Sequence, residues 1–137
     1  MKCLAVVDTN VIVSALITKN NNSPTRQVFR AMLNGNIVPL YSKDILEEYK
    51  DVLSRKKFHL DLNIIQIVLE GIKQFGIEAV PGQSNEIFSD KDDLIFYEVV
   101  MEKQDEGAYL VTGNQKHFPN KRFIVTPAEM AEILNKN

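Results

Sequence analysis

The segment CLAVV (3–7) is apolar without a break and then stops at an acid, Asp8. A strand with one wet face alternates apolar and polar side chains. An unbroken run of strand length instead fits a strand covered on both faces, as in a parallel sheet. Four further short apolar runs fit strands: IVPLY (37–41), IEAV (77–80), AYLV (108–111) and FIV (123–125). Segments of helical periodicity lie between them. A helix is expected from about Asn10, with Val11, Ile12 and Ala15 inward. Residues 23–35 carry Ser23 as cap, Pro24 in the first turn and Gly35 as stop. Residues 42–53 put Ile45, Leu46, Tyr49, Val52 and Leu53 on one face, and residues 61–76 repeat Leu62, Ile65, Val68, Ile72 and Phe75. Residues 90–104 form a further helix, and 126–134 open on the capping box of Thr126 and Glu129.

Strands alternating with helices predict an α/β fold. It is a three-layer sandwich with a mainly parallel five-stranded sheet, helices on both faces and right-handed crossovers. A length of 137 residues with 45% hydrophobic and 25% charged side chains fits a single domain over 1–137 with one core. Pro39 within the second strand costs a ladder donor and is best tolerated near a strand end. The single cysteine, Cys3, excludes an internal disulfide framework and a multi-thiolate zinc site. No apolar run is long enough to span a bilayer, and the early charge at Asp8 does not suit a signal peptide. A cytoplasmic protein without a membrane partner is expected. A net charge of −2 argues against non-specific coating of nucleic acid. It leaves room for local grip by the basic clusters SRKKFH (54–59) and NQKHFPNKR (114–122), which are otherwise solvated surface.

Sites in open α/β sheets form beyond the carboxyl ends of strands, where strand order reverses. Asp8 follows the first strand, and Thr112 follows AYLV in the same way. If those strands are neighbours, Asp8, Thr9, Asn10, Thr112 and Asn114 converge. On the helix over 42–53, Glu48 falls roughly 100° from the centre of the apolar arc and Glu47 nearly opposite it. Glu48 is thus marginal to the buried face and, taken alone, reads equally as a site acid or as a plain boundary residue or i,i+4 partner. On the helix over 90–104, the stripe is Phe96, Tyr97, Val100 and Met101. Asp93 lies within roughly 20° of its centre, with Asp92 at the margin and Glu98 outward. A first-turn acid can also serve as a cap, and Ser89, Asp90 and Asp93 all qualify. Three acids between residues 90 and 93 exceed what one cap requires. Asp8, Glu48 and Asp93 together would repel one another unless a cation joined them. Oxygen-only ligands select Mg²⁺ or Mn²⁺, ions suited to phosphodiester hydrolysis.

VVDTNVIVSAL (6–16), SKDILEEYKDVLSRKKF (42–58), DKDDLIFYEVV (90–100), AYLVTGNQKHFP (108–119) and FIVTPAEMAEIL (123–134) occur in this order. The chain so resembles the PIN domains, and within them the group of toxins from toxin–antitoxin pairs. The resemblance implies sheet order 3-2-1-4-5 and an Mg²⁺ or Mn²⁺ site. It implies cleavage of RNA by Asp8, Glu48 and Asp93, with Asp92 close by. Thr9, Asn10, Thr112 and Asn114 would orient ligands and waters. An antitoxin protein and a homodimer are the implied partners. Arg55, Lys56, Lys57, Lys116 and Arg122 are candidates for contacting RNA phosphates. His117 is another, although it also reads as a surface histidine beside Phe118.

One position departs from the family pattern: Asn114 stands where many members carry an acid. The pocket loses a charge, which weakens a second metal site. The alternative reading is therefore a PIN fold that binds RNA or protein and hydrolyses little. A phospho-receiver domain wants an acceptor Asp ending its third strand, which IEAV lacks. A haloacid-dehalogenase-type phosphatase wants an acid where Asn10 stands.

Overall fold

Each apolar run becomes a strand, and the strands are shorter toward the sheet edges. A computed structural model describes residues 2–82, 88 and 90–136. The strands are β1 (Cys3–Val7), β2 (Ile37–Tyr41), β3 (Ile77–Glu78), β4 (Tyr109–Val111) and β5 (Ile124–Val125). All pair in parallel, in the order β3-β2-β1-β4-β5. β1 is central because it is the most thoroughly apolar run. Ala5, Val6 and Val7 are at most 1% exposed, and consecutive strand residues face opposite sides, so both faces of β1 are covered.

The covering helices are α1 (Thr9–Ile17), α2 (Pro24–Asn34), α3 (Lys43–Leu53), α4 (Leu62–Phe75), α5 (Lys91–Glu102) and α6 (Pro127–Asn135). Their ends follow local chemistry. Ser23 accepts from the backbone N–H of Arg26, and Gly35 closes α2 with φ 88°. Thr126 and Glu129 form the capping box of α6, with bonds of 3.1 and 2.9 Å. α5 packs across β1, β2 and β4 and meets α3, while α2 lies against β2, α1 and α6.

Several sequence expectations shift. IEAV is a strand only at Ile77–Glu78, because as an edge strand it pairs with β2 at Leu40 and Tyr41 alone. Val80 is exposed. Pro39 sits mid-strand rather than at a strand end, and β3 pairs with β2 only beyond it, from Leu40. The α5 stripe runs through Phe96, Tyr97, Val99 and Val100, with Met101 43% exposed. A helix lying across three strands buries a wider arc than one stripe, and here that arc includes Val99 and leaves Met101 out. On α4, Ile65, Val68 and Ile72 are buried while Leu62 and Phe75 at its ends are exposed.

α4 returns to the sheet through Gly76. A Cβ there would overlap the carbonyl oxygens of Pro39 and Ile72, whereas Gly71 within α4 has open space around it. Gly76→Ala should destabilise the protein by about 1–3 kcal/mol through overpacking. Gly71→Ala should stabilise it by about 0.5–1 kcal/mol through helix propensity. Urea unfolding of the pair checks both signs.

Candidate active site

β1 and β4 lie side by side, and the chain leaves them for opposite halves of the sheet. Their carboxyl ends form the topological switch point. Asp8 is the first residue beyond β1, and its N–H donates to the carbonyl of Val111 at 2.9 Å. It occupies the N-cap position of α1, yet its carboxylate does not cap that helix. The carboxylate instead accepts from the Thr112 hydroxyl at 2.7 Å, with the Asn10 amide at 3.5 Å. Asp8 is 6% exposed and Thr112 fully buried. Thr112 Oγ1 in turn accepts from the backbone N–H of Asn114 at 3.0 Å, and Asn10 Oδ1 from that of Gly113 at 3.4 Å. The five polar residues expected at the two strand ends therefore meet there. Thr9 does so without a bond: its buried hydroxyl has no hydrogen-bond partner among the described residues.

α3 delivers Glu48 half-buried, with Glu47 in solvent. The neighbouring Tyr49 holds the helix in place. It is fully buried, its hydroxyl donates to the carbonyl of Val7 and its ring lies 6.1 Å from that of Phe96 on α5. Helical phase assigns Tyr49 to the apolar stripe and does not show this tie. Its signal was the hydroxyl, which needs a partner once buried. On α5, Asp90 is the cap and accepts from the backbone N–H of Asp92 at 2.9 Å. Ser89, another cap candidate, lies outside the described residues. With capping done by Asp90, Asp93 is left half-buried and Asp92 exposed at the site.

Asp8, Glu48, Asp90, Asp92 and Asp93 line one cleft of about 490 Å³. Of the basic residues, Arg55 is on its wall, 3.5 Å from the exposed Asp51. Lys56, Lys57, Lys116 and Arg122 are exposed and do not line it; Lys116 lines a separate hollow with Lys121. His117 reaches Asp93 from outside the wall, with Nδ1 3.4 Å from Oδ2. A hollow of about 220 Å³ between α2 and α4 is lined by apolar residues such as Phe29, Ile67 and Phe75 and carries no titratable group.

The acids in the cleft outnumber the basic groups beside them, Arg55 and His117. Burial pushes the Asp8 carboxyl up, the Thr112 bond offsets part of this, and Asp93 adds to the rise. Burial raises Glu48 as well, followed by Asp92 and Asp51, against a smaller lowering by Arg55. Asp93 is raised by burial and then by Asp90, with His117 pulling the other way. Oxygen donors of this kind suit a hard divalent cation, and the cleft has room for one that keeps its waters. The buried, unpartnered hydroxyl of Thr9 suits a ligand or water in that wall. Among the described residues, no three His, Cys, Asp or Glu side chains already stand close enough to hold an ion directly.

A family model described as PIN domain matches residues 5–116, from β1 to the turn beyond β4. The chain belongs to the PIN domain family. PIN domains are generally nucleases and typically use divalent metal ions. The matched span contains Asp8, Glu48, Asp92, Asp93 and Asn114. No curated protein matches the chain. Among the described residues no helix is long and apolar enough to cross a membrane.

Asp8, Glu48 and Asp93 bind their protons more tightly folded than unfolded. Each thus stabilises the fold below the ordinary carboxylate range and loses that contribution as pH rises through its raised pKa. Asp8→Asn keeps an acceptor for Thr112 and removes the charge. In metal-free buffer it should melt with wild type at about pH 3 and a few degrees above it at about pH 7. A variant less stable than wild type at neutral pH would contradict the sign.

Proposed function

We propose that this protein is a Mg²⁺- or Mn²⁺-dependent endoribonuclease. The observation that carries the reading is the cleft itself. Acids from three separate stretches of chain, β1, α3 and α5, face one hollow at the switch point with Arg55 as the basic residue on its wall. Asp8, Asp93 and Glu48 would hold the ion, with Asp92 next to them. Bound there, it would supply a nucleophilic water at neutral pH and charge for a phosphoryl oxygen. Thr112 and Asn10 fix the orientation of the Asp8 carboxylate. Tyr49 sets the height of α3, and so of Glu48, against the end of β1. Arg55 would meet a phosphate of a strand entering the cleft. With few basic residues near, binding would be salt-dependent but shallow in slope. The reading extends to a cytoplasmic toxin acting as a homodimer and held by an antitoxin. A small adjacent reading frame with a DNA-binding N-terminus would support that.

A second reading is a PIN fold that binds RNA or protein with little hydrolysis. It is favoured by the neutral Asn114 and by the absence, among the described residues, of three donors within direct reach of one ion. Cleavage of a mixed RNA pool under Mg²⁺ or Mn²⁺ titration separates the two. The nuclease should lose all cleavage on chelation and about 10²–10³-fold with Asp8→Asn or Asp93→Asn, the scale of losing one group that stabilises transition-state charge. RNA that is bound but left intact at every metal concentration would leave the binding module.

A further inference from the structure

The cleft that holds the acids is not acidic throughout. α1 turns a second face into it, made of Asn10, Val13, Ser14 and Ile17. Steps of three, one and three residues mark a single helix face, set apart from the buried Val11, Ile12 and Ala15. α3 and the chain after it line the same cleft with Glu48, Val52, Arg55 and Phe58. Along both stretches the residues nearest the acids in sequence are polar, and the last one is apolar. Ile17 lies about 10 Å along α1 from Asn10, at 1.5 Å per residue.

A hydrated ion needs oxygen donors and room for water, not an apolar wall. Yet Ile17 is left 49% exposed here, and Phe58 ends a 3-10 turn (Lys56–Phe58) half-buried against the core. Arg55 is on the same wall, and Lys57 Nζ lies over the Phe58 ring, 5.1 Å from its centroid. An aromatic ring with cations beside it suits a nucleotide, which offers a flat π-face and a phosphate together. An apolar peptide would cover this wall but bury Arg55 and the acids without answering them. A nucleotide answers Arg55 with its phosphate and the acids through a shared ion.

We propose that Ile17 and Phe58 form a nucleobase subsite, which takes one unpaired base next to the phosphate that is cut. This rests on the reading of the cleft as a metal-dependent RNA-cleaving site. The base stacks on Phe58 and packs along Ile17, and Arg55 meets a phosphate of the same stretch. Stacking is tolerant of base identity, because every base has a π-face. The subsite therefore fixes where the strand sits over the acids more than which sequence is cut.

Abasic scanning of a short single-stranded RNA that the full chain cuts at one bond tests this. Each base is removed in turn with the backbone left intact, and kcat/KM is measured with Mn²⁺. In wild type, removal at one position beside the cut should lower kcat/KM about 5–150-fold, the scale of one base–aromatic stack. In Phe58→Leu the same removal should matter little, because the stack is already lost, and Ile17→Ala should shrink its effect in the same direction. Phe58→Leu keeps an apolar side chain against the core and Ile17 is half-exposed, so both variants should fold. Every abasic RNA cut as fast as the intact one, or a positional loss as large in both variants as in wild type, overturns the subsite and leaves the nuclease reading standing. No cleavage of any RNA under Mg²⁺ or Mn²⁺ overturns both.

Discussion

The hydrogen bond from Thr112 to Asp8 is the joint on which the rest of the site depends. It closes the seam between the two strands where the strand order reverses, and it does so with a carboxylate almost removed from water. A buried carboxylate is costly unless paired. Here the pairing is partial: one hydroxyl, one long amide contact and the nearby start of α1. Around this joint the other elements are set by apolar packing that carries polar cargo. Tyr49 ties α3 to the residue before Asp8, and Phe96 carries the contact on to α5. The acids on those helices are therefore placed by the core rather than by attraction to one another.

Stability and chemistry pull in opposite directions at such a place. Burial and mutual repulsion raise the carboxyl groups of Asp8, Glu48 and Asp93, and no basic side chain inside the cleft answers all three. Arg55 reaches Glu48 from the wall while also meeting Asp51, and His117 reaches Asp93. Perturbed titratable groups gathered in one cleft mark a candidate functional site. A divalent cation is the simplest charge that would relieve all of them together.

Much of this was legible in the chain. Unbroken apolar runs separated by helical periods led to the parallel sheet, and the caps at Ser23 and Thr126 stand where their residue types require. Helical phase separated Glu48 from Glu47, and likewise Asp93 from Asp92, because side-chain direction is periodic and local. What periodicity does not carry is long-range contact. It could not show that the Tyr49 hydroxyl bonds a carbonyl 42 residues away, or that His117 lies against Asp93. Strand length at the edges was also hidden, since IEAV stops pairing where β2 ends rather than where its own apolar character ends. Met101 was misjudged for a similar reason: how wide an arc a helix buries is decided by the sheet beneath it.

The central claim is that one divalent ion sits among Asp8, Asp93 and Glu48. Anomalous diffraction at the manganese edge, from crystals grown with Mn²⁺, addresses it directly. A strong peak in the cleft next to Asp8 and Asp93, absent from crystals of Asp8→Asn, is the predicted result. A cleft without a peak at saturating Mn²⁺, or an ion bound only elsewhere on the surface, would contradict it.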